Sequence, residues 1–270
     1  MASIKESLKR ILPEPVLGAA RTSLDAFARL KSMPEAYFHP WRRDTRSQLA
    51  AFKDKHRGER CFIIGNGPSL RDTDMSKLRG ENTIGMNRIY LMFPDLGFET
   101  TYYMSVNDLV IEQCAEEIQN LKLPRFVSWR GRQWLKPEAN LFFLYSTYTG
   151  PKFAGDIRGR MWEGATVTYM ALQTAFFLGF QQVVLIGVDH NFTTQGKPNT
   201  TVTSQGDDPN HFHPGYFGKG FRWQLPDLET SERAYQMARE AYKADGREVI
   251  DATVGGKLRV FPRVDYNSLF

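Results

Sequence analysis

The chain has 270 residues, enough for one large domain or a domain with an extension. Its 41% apolar content excludes disorder, and two cysteines, Cys61 and Cys114, exclude a disulfide framework or zinc cluster and fit a reducing, cytoplasmic setting. The net charge of +5 sits in residues 1–60, which hold 13 Lys/Arg and 7 Asp/Glu, against 22 and 23 in the rest, so the main domain lacks the basic face a nucleic-acid partner would need.

The predicted elements begin with a basic helical extension, residues 1–57, ahead of a domain at 58–270. Ile4, Leu8, Ile11 and Leu12, then Leu24, Phe27 and Leu30, fall at helical spacing, and Pro13 and Pro15 divide them into two short helices. The segment either packs on the domain or rests on an anionic membrane surface or on a partner. No apolar run reaches the roughly 20 residues that span a bilayer, and no apolar stretch precedes a cleavage site, so the expectation is a cytoplasmic protein, or one at the cytoplasmic membrane face.

Arg60–Gly65 reads as a buried strand and Asp74–Leu78 as a short helix capped by Asp72 or Asp74. Asn82–Met86 and Thr101–Ser105 are strands, and Asp108–Asn120 is a helix. Arg125–Ser128 and Leu141–Leu144 are strands, and Thr166–Leu178 is an apolar helix stopped by Gly179. Gln182–Gly187 is a strand, residues 190–222 a long loop, Thr230–Asp245 a helix and Glu248–Asp251 the last strand. Short apolar strands alternating with helices predict an α/β fold, a Rossmann-like, mostly parallel sheet with helices on both faces.

In such a sheet ligands bind beyond the carboxyl ends of the strands. The first strand ends on Gly65-Asn66-Gly67-Pro68-Ser69, where glycines permit close backbone approach and N–H groups can hold an anion. This is neither the dinucleotide fingerprint nor a P-loop. The second strand ends on Asn87, the long helix opens at Thr166 and Thr168, and the Gln182–Gly187 strand runs into Asp189 and His190. Together these residues describe a cleft suited to a nucleotide or sugar. Three of the five histidines, His190, His211 and His213, lie between residues 190 and 213, and a neutral imidazole suits proton removal from a sugar hydroxyl. The lesser alternatives are that one of them packs in the loop, or that they bind a metal with Asp189, Asp207 or Asp208. Phe212, Tyr216, Phe217, Phe221 and Trp223 form either a lid that stacks on sugar rings or a small satellite core. Asp72-Thr73-Asp74 has the form of a metal signature, but a helix cap accounts for it.

The order GNGPSL, GMNRIY, TYMALQTAFFLGF, VVLIGVDHNF resembles the bacterial lipooligosaccharide sialyltransferases that use CMP-sialic acid. It also resembles the wider MptE-like (hydroxymethylpterin diphosphokinase) superfamily, with its motility accessory proteins of flagellin glycosylation. The resemblance spans residues 58–270. It implies that Gly65, Asn66, Gly67 and Ser69 contact the nucleotide and its phosphate, that Asn87 lies near the donor, and that Thr166 and Thr168 bind it. His190 stands where the sialyltransferases have an aromatic residue, and the helix start has lost their serine. A loop histidine is the base in those enzymes, which here means His211 first and His213 second.

The expectation is therefore a glycosyltransferase with a nucleotide-sugar donor, a CMP-nonulosonate being one candidate, and a glycan acceptor in surface polysaccharide or glycoconjugate synthesis. Asp189 would orient the donor or acceptor, Tyr216 and Trp223 would line the acceptor side or lid, and no metal or cofactor is required. One alternative is a Mg²⁺-dependent diphosphokinase using Asp189, Asp207 and Asp208, with Arg71 and Arg88 near the triphosphate. The other is a non-catalytic nucleotide- or glycan-binding partner. Expected partners exclude nucleic acid; a homo-oligomer and membrane contact through residues 1–57 stay open.

Overall fold

The computed structural model describes residues 33–148, 150–194 and 196–270, together with Ser23, Phe27 and Leu30. The two helices read around Pro13 and Pro15 lie outside the described residues. Eight parallel strands make one sheet: β1 (Arg60–Ile64), β2 (Thr83–Met86), β3 (Tyr102–Ser105), β4 (Arg125–Ser128), β5 (Leu141–Thr147), β6 (Arg160–Trp162), β7 (Gln182–Ile186) and, after a hairpin pair, β10 (Glu248–Asp251). Their order is β10-β7-β1-β2-β3-β4-β5-β6. The chain lays down β1 to β6 outward in one direction, then crosses back to place β7 and β10 on the other side of β1. The order therefore reverses at β1, with β2 on one flank and β7 on the other.

The period of two along a strand builds a core on each face of this sheet. In β1, Cys61 and Ile63 join one apolar cluster, and Phe62 and Ile64 join the other. The first cluster takes helix α5 (Val167–Leu178), whose residues are buried almost all round, and the inner face of α6 (Leu228–Ala244). The second takes α3 (Asp108–Gln113) and α4 (Ala115–Asn120) through Val110, Ile111 and Ile118. Helices thus cover both faces, which is why the strands read as continuous apolar runs.

The single helix expected over 108–120 breaks at Cys114, whose φ of −120° and ψ of 24° leave the helical region. The helix expected at 74–78 is a 3-10 turn, Met75–Leu78, capped by Asp74 and not Asp72. β5 runs on to Thr147, and residues 190–222 are not all loop: β8 (Thr201–Thr203) and β9 (Arg222–Gln224) pair antiparallel. Helix α1 (Pro40–Leu49), which the sequence reading left inside the extension, starts on Pro40 and is capped by His39. It lies on β5, where Thr45 Oγ1 accepts from the Phe143 N–H at 3.3 Å. A last short helix, α2 (Phe93–Leu96), ends on Gly97 in the left-handed region. No helix among the described residues is long and apolar enough to cross a membrane.

Candidate functional site

The reversal at β1 opens a cleft of about 740 Å³ beyond the carboxyl ends of the strands. Gly65, Asn66, Gly67, Asn87, Thr166, Thr168, Asp189, His190, His211 and Trp223 all line it. Backbone strain gathers here too. Among the described residues six non-glycines have positive φ, and four of them, Asn87, Ala165, His190 and Asn199, line the cleft.

Its floor is the interlock of two strand ends. Gly65 and Gly67 donate to the Ile186 and Gly187 carbonyls at 2.8 and 2.9 Å. A Cβ on Gly65 would overlap the Gly187 carbonyl, and one on Gly67 would overlap the Asp189 carboxylate. Asp189 in turn accepts from the Ser69 N–H at 3.1 Å and from Ser69 Oγ at 2.6 Å. Ser69 is buried and does not line the cleft; its part is to hold Asp189 over the glycine loop. Asn66 Oδ1 is buried with no hydrogen-bond partner among the described residues, an acceptor without a donor in the cleft wall.

Burial pushes the Asp189 carboxyl above its ordinary value of 3.8, against the pull of the Ser69 donors. A carboxyl raised by folding binds its proton more tightly in the folded chain. Its protonation therefore adds stability that is complete below 3.8 and lost as the pH climbs through the raised value. The expected result is that wild type gains on Asp189→Asn as the pH falls through that window, with a constant difference at neutral pH. Denaturant unfolding of both proteins across pH checks this, and a difference that never changes with pH would contradict it.

The wall opposite the floor is the segment 208–217. His211 Nδ1 lies 2.7 Å from Oδ2 of Asp208, whose own side chain is almost wholly buried. The acceptor-only carboxylate makes Nδ1 the protonated nitrogen and leaves Nε2 as the basic one, with no partner among the described residues. The imidazole stacks on Tyr216 at 4.0 Å and meets Phe217 edge-on. Tyr216 is fully buried behind the histidine and backs it, so it is no part of a lid. His213 is exposed, takes the Gly215 N–H at 3.1 Å and does not line the cleft.

Hydrogen bonds fasten this segment to the loops that follow β1 and β2. Phe212 N–H donates to the Asn66 carbonyl at 2.9 Å. Arg71 donates to the carbonyls of Phe212 and His211 at 2.9 and 2.7 Å, and Arg88 to those of Gly215 and Tyr216. The two arginines near the glycine loop are thus engaged by backbone carbonyls.

The remaining rim comes from helix starts. Thr166 caps α5, and its hydroxyl lies 3.3 Å from that of Tyr235 on α6. Val167, the first helical residue, has no intrahelical acceptor for its N–H, so the positive end of α5 faces the cleft. Asn87 accepts from Ser105 at 3.1 Å, and His190 Nε2 lies 2.8 Å from Glu232.

Sequence reasoning passed over Arg130, Asp108, Glu163 and Tyr148. Arg130 meets both Asp108 oxygens at 2.9 and 2.8 Å and Glu163 at 2.8 Å. Burial opposes its charge, but Glu163 and Asp108 outweigh that and raise its pKa. Tyr148 reaches across the mouth to Asn199 at 3.0 Å and Asp227 at 3.4 Å. Glu163 follows β6 and precedes Gly164, a marked strand end, but β6 is only three residues long and does not read as a strand, so the mark goes unused.

The carboxylates considered for magnesium do not converge. Asp189 faces Ser69, Asp208 faces His211, and Asp207 is exposed outside the cleft. No group of three or more His, Cys, Asp or Glu among the described residues is disposed to hold a metal.

The family described as "6-hydroxymethylpterin diphosphokinase MptE-like" matches residues 41–195. No curated protein matches the sequence significantly. Among solved structures the chain is similar to the MAf glycosyltransferase from Magnetospirillum magneticum AMB-1, with 16% identity and a TM-score of 0.49 over 85% of this chain. The match takes in 39% of that chain, well under half its length.

Proposed function

The chain belongs to the MptE-like family, and on that premise we propose that it is a transferase of the glycosyltransferase class, using a nucleotide-sugar donor. The observation that carries this reading is the Asp208–His211 pair, set against the cleft where the strand order reverses. The floor at residues 65–67 and the start of α5 would receive the nucleotide and its phosphate through backbone N–H groups. His211 Nε2 would take the proton of an acceptor hydroxyl as that oxygen bonds to the anomeric carbon of the sugar. The bond from that carbon to the phosphate oxygen breaks, and the nucleotide leaves with the electron pair. Asp208 keeps the histidine in the tautomer that can accept.

The diphosphokinase reading draws support from the family's description, but Arg71 and Arg88 are committed to the 211–216 carbonyls and the carboxylates point elsewhere. A thermal-shift panel of CMP, CDP, UDP, GDP, AMP and ATP, each with and without Mg²⁺, separates the readings, since a ligand of the folded state raises its melting point. The expected outcome is a shift with a nucleotide mono- or diphosphate that does not need magnesium. A shift confined to ATP with Mg²⁺ would replace this reading by the diphosphokinase. Binding without turnover of any cognate sugar nucleotide would make the chain a non-catalytic partner.

A further inference from the structure

A second cleft, this one basic, lies outside the transferase site. Arg43, Arg46 and Ser47 of α1 line it with Asp156, Arg158 and Gly159, around about 660 Å³. Arg158 is paired with Asp156 at 2.6 Å, whereas Arg43 and Arg46, one helical turn apart, meet no carboxylate among the described residues. The cleft therefore holds a surplus of positive charge.

The residues that lead into α1 expose apolar surface. Phe27, Leu30, Met33 and Phe38 are 68%, 59%, 43% and 75% exposed. The other large exposed apolar side chains among the described residues, Tyr148, Val254 and Phe270, are scattered along the chain. The segment that carries Met33 and Phe38 is fastened to the basic cleft. Buried Arg42 donates to the carbonyls of Ala36 at 3.0 Å, Phe143 at 2.5 Å and Arg158 at 3.0 Å. It thereby ties helical residues 33–38, α1 and the far wall of the basic cleft to the sheet. The Arg46 guanidinium lies 5.7 Å from the ring of Tyr37, next in the chain to Phe38.

We propose that this face docks on an anionic lipid surface, with Phe27, Leu30 and Phe38 entering the headgroup boundary and Arg43 and Arg46 holding lipid phosphates. Unpaired arginines beside exposed aromatic and aliphatic side chains match the two layers of such a surface, negative headgroups above hydrocarbon. A single basic cleft without the apolar residues would suit a free anion, and an apolar stripe without the arginines would suit a second copy of the chain. None of these residues lines the transferase cleft.

The test is co-sedimentation of the full chain with vesicles of phosphatidylcholine alone and of phosphatidylcholine with phosphatidylglycerol. Wild type should bind the anionic vesicles, weaken with added salt and ignore the neutral ones. The double variant R43Q/R46Q should partition roughly 30-fold less, from two lost lipid-facing charges. The triple variant F27S/L30S/F38S should lose at least roughly tenfold. Both should keep the wild-type response to nucleotide, which separates failure of docking from failure of the transferase reading. Absence of binding to anionic vesicles, or equal binding by wild type and R43Q/R46Q, would overturn the proposal. So would a wild-type dimer, seen by light scattering, that the triple variant dissolves, since a second copy would then cover the face. The arginines are exposed, so their variant keeps the test decisive even if the triple variant fails to fold.

Discussion

Replacing His211 with alanine is expected to lower the rate of nucleotide release from the cognate donor by about 10²–10⁴-fold, with nucleotide binding unchanged. That range is what a positioned general base contributes. Asp208→Asn should lower kcat by about tenfold or more with little change in KM for the donor. It removes the carboxylate 2.7 Å from Nδ1 while leaving the imidazole stacked on Tyr216. The informative comparison is the double variant. If Asp208 acts through His211, Asp208→Asn should cost nothing further once His211 is alanine. Additive losses would mean that Asp208 supports the loop and not the base. A His211→Ala protein with near-wild-type turnover would remove the reading altogether. His213→Ala should leave the rate within about twofold, because its nitrogen is committed to Gly215 outside the cleft.

The second large effect is expected at the glycine loop. Gly65→Ala sets a methyl group against the Gly187 carbonyl, backbone against backbone, in a sheet centre that cannot shift without parting β1 from β7. A destabilisation of about 3 kcal/mol or more is expected, a large part of the ~5–15 kcal/mol that holds a domain folded. Gly67→Ala collides chiefly with the Asp189 carboxylate, a side chain that can rotate away, and presses on the Gly187 carbonyl only at 2.9 Å. The expected cost there is about 1–3 kcal/mol, together with loss of the Ser69 contacts and of nucleotide binding. Adding Asp189→Ala to Gly67→Ala should recover a good part of that stability, while nothing at position 189 should rescue Gly65→Ala. Urea unfolding of the four variants checks both statements. Equal costs at the two glycines would show that the interlock is looser than its geometry.

These predictions fall on residues of unequal legibility. Gly65, Gly67 and Asp189 announced themselves because a buried parallel strand is an apolar run, and its end is marked where the run stops on glycine or a polar side chain. The same logic placed β1, β2, β3, β4, β7 and β10 within about a residue of their positions. It failed where no marker exists. The break at Cys114 carries neither glycine nor proline. β6 is three residues long, and the pairing of β8 with β9 joins segments separated by a long loop. Proline at the first position of α1 is a readable helix start, although the segment around it reads first as a basic extension. Within the cleft, residue types were legible and partners were not. Asp189 read as a ligand-facing acid, but its oxygens are taken by Ser69. Tyr216 read as acceptor wall, lid or satellite core, and it is the buried plate on which His211 lies. Asp208 read only as a metal ligand, although an acid three residues before a histidine in a tight loop can reach its ring.

The strand order has a consequence for a chain still being synthesised. β1 to β6 leave the ribosome in the order in which they pair, so each strand finds its neighbour already present. The cleft cannot take shape in that period, because its floor needs β7 against β1 and its histidine wall comes later still. Until then β1 presents an open edge, with the Gly65 and Gly67 amides that later bond Ile186 and Gly187 still without those carbonyls. The nascent chain is thus a growing sheet with its most adhesive strand exposed, and ligand affinity should appear late and abruptly as that edge closes.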